Sequence, residues 1–344
     1  MVTIAVDAMG GDHAPEAVVM GAAEASLRSE AHIVLVGPES TICSVLDKVR
    51  WDHNRLSVES AQGAIPMDAN PRDALLTHPE ASLPRAARWV ATDGGPDALV
   101  SAGNSGAVIL ACAQAFRCLP NVRRTALCAV IPTERRRGRR HDPFTLLLDA
   151  GATLRVTSRD LAGFALMGAA YASIVSQNPQ PKVALLSNGH EPNKGTPEVV
   201  GAHAILSKMS GIDFIGNIEG VDIPRGTADV IVCDGFTGNI TLKMLEGVSE
   251  TVMNLARYAY RRRMSWRLAL WLLSSGIRRL KEVTDWQQYG GAPILGFDRL
   301  CIKAHGRSGP RAIRNAILVA ERCVTAKLCA KIERDLELLP LRHQ

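Results

Sequence analysis

A turn of small residues joins an apolar run to a helical pattern, and its residue types are those needed to hold an anion. Its members are Ser101, Gly103, Asn104, Ser105 and Gly106. Glycines and short polar side chains let backbone N–H groups approach an oxyanion, and the following helix presents the positive end of its dipole. The turn therefore predicts a phosphate site. The alternative is a plain strand-to-helix connection in which glycine supplies a positive φ.

A second turn of this kind follows a predicted strand over Val2–Val6. Gly10 and Gly11 would bring the backbone close to a ligand, while Asp12 and His13 add a carboxylate and an imidazole at the same point. Two compatible interpretations stay open. The segment is either a binding loop or the start of a helix that Asp12 caps.

The elements that must position these turns alternate between strands and helices. Apolar runs over Asp97–Ser101, Thr145–Leu148, Lys182–Leu186 and Asp229–Cys233 are typical of buried strands. Their alternation with helical stretches predicts a layered α/β fold with a mainly parallel sheet and flanking helices. Ligands bind at the carboxyl ends of such strands. We therefore expect five loops to line one cleft, over residues 7–13, 101–106, 149–152, 187–195 and 234–239.

The length and composition fit a protein with a substantial core. The chain has 344 residues, 47% of them hydrophobic, and it contains neither a repeat nor a Pro- and Ser-rich linker. We expect a single unit over residues 1–344, with a helical excursion over residues 245–285 and a closing core helix over Ala312–Leu336. The N-terminal apolar run lacks a basic leader and a cleavage site, which favours the cytoplasm.

The cysteine and histidine patterns indicate no metal chemistry. None of the eight cysteines forms a Cys-x-x-Cys pair, and the nine histidines are dispersed. Cysteines scattered through apolar segments are typical of buried free thiols in a cytoplasmic protein. A nicotinamide-dependent dehydrogenase would carry a Gly-rich dinucleotide motif followed by an acidic residue, or clustered aspartates for a metal, and neither pattern is present. We expect no metal and no cofactor.

Seven blocks of this sequence, taken in order, resemble those of the bacterial phosphate acyltransferases called PlsX. They cover residues 4–15, 101–107, 147–152, 189–195, 234–239, 289–293 and 303–306. The collinear resemblance runs from residue 2 to about residue 326. It implies an architecture similar to that of the phosphotransacetylases and isocitrate-type dehydrogenases, and a homodimer.

The resemblance also implies a reaction and its partners. Members of the family transfer the acyl group of an acyl carrier protein thioester to inorganic phosphate, giving an acyl phosphate for phospholipid synthesis. Acyl carrier protein, phosphate and a second copy of the chain are then the expected partners. The resemblance also implies peripheral contact with an anionic membrane surface and with a membrane glycerol-3-phosphate acyltransferase.

Phosphorolysis of a thioester requires an oriented phosphate and a polarised carbonyl oxygen. Lys194 lies in a Gly-rich loop after a strand, at the family's Glu-x-x-Lys-Gly position, and Glu191 is near enough in sequence to orient it. Asn239 is expected to donate its amide N–H to the oxyanion or to phosphate, with Thr237 assisting. Lys194 and Asn239 are accordingly the first candidate catalytic residues.

Three further residues have two interpretations each. His305 would protonate the leaving thiolate or bridge loops. Asp234 and Asp149 follow strands and would orient Lys194 or cap helices, and Asp234 also stands among the candidate phosphate-binding residues. For both aspartates the structural role is the stronger prediction. Asp12 and His13 are expected to bind rather than to catalyse.

A basic, tryptophan-containing segment runs from Arg257 to Lys281 without an acidic residue. It is too short in its apolar part to span a bilayer, but a helix of this kind can lie on an anionic membrane surface. Contact with the acidic carrier protein and packing of a helical hairpin on a dimer partner are the alternatives. The contact residues are predicted to be Arg261, Arg262, Arg263, Trp266, Arg267, Trp271, Arg278 and Arg279.

A second basic run covers residues 135–141, and together the two segments account for much of the net charge of +6. Nucleic-acid binding is not expected, because no recognition module or stacking aromatic residues accompany the arginines. The run instead predicts a solvated loop or a contact with the carrier protein.

Departures from the family pattern bear on the choice of substrate. The region with Leu75, Leu76, His78 and Ser82 lacks the basic pair and consecutive serines of the family, and Thr196 stands where an Asn is usual. The basic loop is also richer in arginine. Two alternative functions follow: a phosphotransacetylase that uses acyl-coenzyme A, and a non-catalytic scaffold at the membrane. The scaffold would have no need of Lys194 or Asn239.

Overall fold

The computed structural model describes residues 1–135, 143–262, 264–265, 273 and 290–340. Most of the predicted basic contact segment lies outside the described residues, namely Arg263, Trp266, Arg267, Trp271, Arg278 and Arg279. Residues 136–141 of the basic loop lie outside them as well. The predicted helical excursion over residues 245–285 is described as far as residue 262 and at residues 264, 265 and 273.

Short apolar runs form the strands, because strands of a parallel sheet are buried on both faces and are therefore continuously hydrophobic. The strands are β1 Thr3–Asp7, β2 His32–Gly37, β3 Leu56–Ser60, β4 Ala98–Ser101, β5 Ala126–Leu127, β6 Ala129–Pro132, β7 Phe144–Leu148, β8 Lys182–Leu186, β9 Asp213–Ile218, β10 Val230–Val232, β11 Ala292–Leu295 and β12 Leu300–Lys303.

Helices connect these strands and cover the sheets. They are α1 Glu16–Ser26, α2 Glu39–Leu46, α3 Pro71–Thr77, α4 Ser82–Ala91, α5 Ser105–Ala115, α6 Ser158–Val175, α7 Pro197–Leu206, α8 Asp222–Arg225, α9 Gly235–Arg262, α10 Pro310–Thr325 and α11 Leu328–Leu336. Local signals start several of them. At α6, for example, the Thr157 side chain accepts from the Asp160 backbone and the Asp160 side chain accepts in return.

The strands form two sheets rather than the one that the alternation alone suggested. The first sheet has the order β3-β2-β1-β4-β12-β11-β5, and the second has the order β6-β7-β10-β8-β9. In the first, β11 runs antiparallel to both neighbours, and in the second, β6 runs antiparallel to β7. The remaining pairs are parallel, so the predicted layered, mainly parallel α/β fold is confirmed.

The two sheets meet where β5 passes into β6. The Cys128 N–H between these strands donates to the Pro293 carbonyl of the first sheet, and the Ala150 N–H of the second sheet donates to the Leu127 carbonyl. One apolar core extends through both halves, from Ile4 and Ile33 to Phe164 and beyond. The carboxyl ends of strands from both sheets therefore come together along this junction.

The prediction of one helix over Ala312–Leu336 is wrong. Two helices, α10 and α11, occupy the stretch, and Lys327 between them adopts a left-handed conformation with φ +54°. The chain turns there so that α10 packs on α1 while α11 packs on α6. Apolar spacing could not reveal the break, because both helices bury an apolar face.

The cysteines are free, as predicted. Five are buried, Cys43 and Cys329 are half-buried, and Cys118 is exposed, so that burial was predicted wrongly for Cys118. Desolvation raises the pKa of buried thiols such as Cys128 and Cys233, which makes their reactive thiolate forms scarce.

Candidate active site

The site is built on three neighbouring strands of the first sheet. Asp7 ends β1, Ser101 ends β4 and Lys303 ends β12. Lys303 is paired in register with Ser101, and the Ser101 hydroxyl donates to Asp7 Oδ2 at 2.7 Å. These side chains are almost fully buried, with 1%, 1% and 6% of their surface exposed for Asp7, Ser101 and Lys303. They form a polar row beneath the two predicted binding turns.

The Asp7 carboxylate collects hydrogen bonds from separate elements. Besides Ser101, the Ser82 hydroxyl at the start of α4 donates to Oδ1 at 2.5 Å, and the Met9 backbone contributes a further bond. Burial raises the pKa of Asp7, but these donors and the nearby Lys303 oppose that effect. Both side-chain oxygens of Asp7 accept hydrogen bonds from hydroxyl groups, so we describe the residue as a carboxylate.

Lys303 is the buried cation of this row. Its ammonium donates to the Ala304 carbonyl. Burial lowers the pKa of Lys303 to about 8, and the charges of Asp7 and Asp12 partly oppose that shift. The side chain is therefore still mostly protonated at neutral pH.

Glycine is required where the first two turns close over Asp7. A Cβ on Gly10 would overlap the Asp7 carboxylate and come within 2.8 Å of the Gly103 nitrogen. Gly11 has a φ of +122°, which side chains rarely tolerate. The Asp12 N–H donates to the Gly306 carbonyl at 2.8 Å, so the loop after β12 joins the other two. Three loops thus form one structure at this edge, which we call the glycine cradle.

The turn over residues 101–106 leads into α5 as predicted. Asn104 caps this helix, since its Oδ1 accepts from the Ala107 N–H at 3.2 Å, while its amide donates to the Met67 carbonyl at 2.8 Å. Gly106 allows close packing, because a Cβ there would lie 2.7 Å from Pro71 Cγ. Ser105 is exposed beside them. The N–H groups of Ser105 and Gly106 in the first turn of α5 donate to no acceptor within the described part of the chain, and free amides at a helix N-terminus stabilise an anion.

Asp12 and His13 are exposed at the rim of the glycine cradle. The interpretation in which Asp12 caps α1 is wrong, because Pro15 occupies the N-cap position and no side chain caps that helix end. Two residues, His13 and Ala14, separate Asp12 from the N-cap position. Asp12 remains a candidate binding residue.

Asp234, which follows β10 of the second sheet, fixes the beginning of α9 together with Thr237 of that helix. Asp234 Oδ1 accepts from the N–H groups of Phe236 and Thr237 at 3.0 and 2.9 Å, and the Thr237 hydroxyl donates to Asp234 Oδ2 at 2.6 Å. The structural role predicted for Asp234 is therefore confirmed. Asn239, one turn along, is exposed and lies against Gly151. No hydrogen bond of its amide is formed within the described part of the chain, so the donor is available.

Asp149 organises the loop opposite Asn239. Its carboxylate accepts from the N–H groups of Leu127, Gly151, Ala152 and Thr153 at 2.8, 3.1, 2.9 and 2.6 Å. Burial raises the pKa of Asp149, and these four bonds oppose the shift. Asp149 therefore neither caps a helix nor touches Lys194. It ties the second sheet to β5 of the first.

Lys194 lies on the exposed loop between β8 and α7. Its N–H donates to the Glu191 carbonyl at 3.0 Å, and the loop is fixed from below by the Asn217 amide, which donates to the same carbonyl at 2.8 Å. Among the described residues no ion pair joins the Lys194 ammonium to the Glu191 carboxylate, contrary to our expectation. Nor does a hydrogen bond or ion pair join Lys194 to Asn239 or His305 there.

His305 stands between the two halves of the site. Its Nδ1 accepts from the Arg307 N–H at 3.2 Å, and Nε2 lies 3.9 Å from Glu246 Oε1 on α9. The first contact assigns the proton of the neutral ring to Nε2. Burial lowers the pKa of His305, although Glu246 opposes the shift, so the ring is neutral at neutral pH. This position fits the interpretation in which His305 bridges loops.

The five predicted loops are therefore divided between the two sheets. The loops over residues 7–13 and 101–106 belong to the glycine cradle, whereas those over 149–152 and 234–239 meet across Gly151 and Asn239. The His305–Glu246 contact connects the two groups. No contact of this kind links the Lys194 loop to either group in the described ranges, although it lies at the same edge of the second sheet as the 149–152 and 234–239 loops.

Sequence reasoning missed the individual roles of Asp7, Ser82, Lys303 and Asp149. The available signal was a charged residue at the end of an apolar strand, as at Asp7 and Lys303. Such residues are rarely buried unless they are paired. Which charges pair, however, depends on strand order. Among the described residues, no group of three or more His, Cys, Asp or Glu side chains has the arrangement needed to hold a metal ion.

Replacing Ser82 by alanine is expected to lower the free energy of unfolding by about 1.5 to 3 kcal/mol, because a buried carboxylate loses one of its donors. Urea denaturation followed by circular dichroism measures this change. Ser44→Ala is the control, since Ser44 is exposed and donates only to Thr41 of its own helix. Equal stability of the two variants would contradict a charged Asp7.

The fold agrees with that of known acyl-transferring enzymes. The crystal structure of a phosphotransacetylase from Streptococcus pyogenes superposes with a TM-score of 0.62 at 16% sequence identity, covering 94% of each chain. A branched-chain phosphotransacylase from Enterococcus faecalis superposes with a TM-score of 0.53 at 14% identity, covering 94% of this chain and 99% of the other. The protein is thus an α/β protein of the phosphotransacetylase-like fold class.

Sequence comparison then identifies the family. The profile of a family described as "Fatty acid synthesis protein" matches residues 2–331. A phosphate acyltransferase from Myxococcus xanthus is 40% identical across 98% of this chain and 95% of its own length. Another from Thermodesulfovibrio yellowstonii is 39% identical across 98% of this chain and 94% of its own length. The chain belongs to this phosphate acyltransferase (PlsX) family, and it is an acyltransferase that uses phosphate as acceptor.

Proposed function

We propose that this protein transfers a fatty acyl group from the thioester of acyl carrier protein to inorganic phosphate. The products are an acyl phosphate, for use in phospholipid synthesis, and free carrier protein. The observation that carries the proposal is the glycine cradle at the N-terminus of α5, which offers backbone N–H groups beside a buried cation, Lys303. Membership in the phosphate acyltransferase family supports the same acceptor.

The proposed reaction is a displacement at the thioester carbonyl. A phosphate oxygen attacks the carbonyl carbon, the new C–O bond replaces the C–S bond, and the thiolate takes up the proton that phosphate loses. The carbonyl oxygen becomes negative on the way and needs donors. Asn239 supplies an available amide for it, and Lys194 supplies a cation for phosphate or the oxyanion. A thiolate leaves readily, so the neutral His305 ring need not act as an acid.

The proposal is tested by the formation of acyl phosphate from purified protein and inorganic phosphate. Long-chain thioesters of acyl carrier protein and of coenzyme A are supplied side by side, and the released thiol is measured. Selective turnover of the carrier-protein thioester supports the proposal. Preference for coenzyme A would instead make the protein a phosphotransacetylase, and turnover of neither would favour the non-catalytic scaffold.

A homodimer through α9 is part of the proposal. Apolar side chains spaced four residues apart on this helix are exposed, namely Phe236 at 61%, Ile240 at 52%, Met244 at 65%, Val248 at 48% and Val252 at 58%. A continuous apolar stripe of this kind is typical of an interface. Light scattering tests the dimer, for which the mass is expected to be twice the 37.0 kDa of one chain.

From the basic segment we also propose peripheral attachment to an anionic membrane. A membrane glycerol-3-phosphate acyltransferase would take the product there. None of the helices in the described ranges combines the length and apolar character needed to span a bilayer. Arg261 is exposed and Arg262 ends α9. Trp271→Glu is expected to reduce flotation with anionic vesicles, because a charge there opposes insertion at the interface. Equal flotation of the variant and the parent protein would contradict insertion by Trp271.

A further inference from the structure

We infer that Lys303 is a positioning residue for the glycine cradle, where its buried ammonium neutralises the Asp7 carboxylate that holds the loops together. The inference rests on the proposed function, because it assigns inorganic phosphate to the glycine cradle. It gives a role to a buried cation that the displacement itself does not use. Without that cation, the carboxylate that organises the cradle would repel its ligand.

Asp7 holds the glycine cradle through hydrogen bonds that both of its side-chain oxygens accept. Ser82 and Ser101 donate to its two oxygens at 2.5 and 2.7 Å, and the Ser101 hydroxyl also accepts from the Gly103 N–H at 3.0 Å. The chain Asp7, Ser101, Gly103 thus fixes the backbone of the turn that presents α5. Gly10 and Gly103 pack over the same carboxylate. The negative charge therefore lies directly beneath the proposed anion site.

Lys303 is the charge that balances Asp7. The two residues flank Ser101 on neighbouring strands, at the same level of the sheet. The other titratable groups that influence the Lys303 ammonium are Asp12 at the rim, Cys301 on the same strand and Lys243 on α9, while Lys303 in turn acts on the His305 ring. Asp12 and Lys243 are exposed, so solvent screens them more than it screens the buried pair. Asp7 and Lys303 are therefore the buried groups of opposite charge beneath the cradle.

Replacing Lys303 by methionine is expected to raise the KM for phosphate at least about tenfold, with a smaller change in kcat, since Asp7 is then left unbalanced. The double variant Asp7→Asn/Lys303→Met removes both charges and keeps a side chain that can bond both serines. It is expected to recover most of the lost phosphate affinity. A single Lys303→Met variant that failed to fold would leave the double variant as the test.

The pH profile distinguishes charge from shape. Burial lowers the pKa of Lys303 to about 8, so the KM for phosphate of the parent protein is expected to rise above that pH. Lys303→Arg keeps its charge there and is expected to lose this rise. Inorganic phosphate also gains negative charge as the pH rises through neutrality, but this titration affects the parent protein and Lys303→Arg alike, so the difference between their two profiles isolates the Lys303 ammonium.

Two results would overturn the inference. One is an affinity of Lys303→Met for phosphate within about twofold of the parent value, well below the expected tenfold effect. The other is a folded double variant that binds phosphate no better than Lys303→Met does. Where Lys303→Met does not fold, the corresponding result is a double variant whose affinity for phosphate is at least about tenfold below that of the parent protein. Binding of inorganic phosphate is also measured by isothermal titration calorimetry without an acyl donor. A parent protein that binds phosphate but turns over no thioester would refute the proposed function and leave the role of Lys303 testable.

Discussion

Replacing Asn239 by alanine is expected to lower kcat about a hundredfold, the usual consequence of removing one donor to a developing oxyanion. The free energy of unfolding should barely change, because the exposed amide forms no hydrogen bond within the described part of the chain. The loss should fall on kcat more than on KM, since the negative charge on the carbonyl oxygen develops only in the transition state.

Lys194→Ala is the companion variant, with an expected loss of turnover of at least about tenfold. Lys208→Ala and Asn54→Ala serve as controls, because both residues are exposed and lie away from the candidate site. Release of free thiol is measured for all four variants under saturating phosphate. Unchanged kinetics in a folded Asn239→Ala or Lys194→Ala protein would remove that residue from the catalytic assignment.

Replacing Asp149 by alanine is expected to lower the free energy of unfolding by about 3 to 5 kcal/mol. The carboxylate is fully buried and accepts four backbone N–H groups, at 2.6 to 3.1 Å, which would lose their acceptor together. One of these groups belongs to Leu127 of the first sheet, so the substitution also loosens the junction of the two sheets. Urea denaturation measures the effect.

Asp213→Ala is the matched control, since Asp213 is exposed at the start of β9. A change within about 0.5 kcal/mol is expected there. Acyl phosphate formation by Asp149→Ala should fall as well, because Asn239 lies against Gly151 of the loop that Asp149 holds. A stability equal to that of the control would contradict the central role of this carboxylate.

Much of the local structure was predictable from sequence. The observed bounds of β1, β4, β7, β8 and β10 agree within one or two residues with the predicted strands, because strands buried on both faces are recognisable as short apolar runs. The start of α5 after Ser101–Gly106 was also predictable. Small residues with a polar cap, here Asn104, determine such a helix start through local contacts alone.

The candidate site was predictable as a set of loops, but not as an arrangement of side chains. The five loops that we expected to line one cleft are divided between two sheets, because the alternation of strands and helices carries no information on where one sheet ends. Asp12 matched the pattern of a helix cap but lies away from the start of α1. The relation of Glu191 to Lys194 likewise depended on side-chain directions that sequence spacing leaves open.

The sequence by itself determined the strands, the glycine turns, the free cysteines and the family, since each depends on residue types that are close together or collinear. The tertiary structure alone decided that Asp7, Ser82, Ser101 and Lys303 meet. They come from distant parts of the chain, and their contact requires β1, β4 and β12 to be neighbours in one register. Strand order and register arise from packing of the whole core, and they therefore place a charge pair that no local pattern reveals.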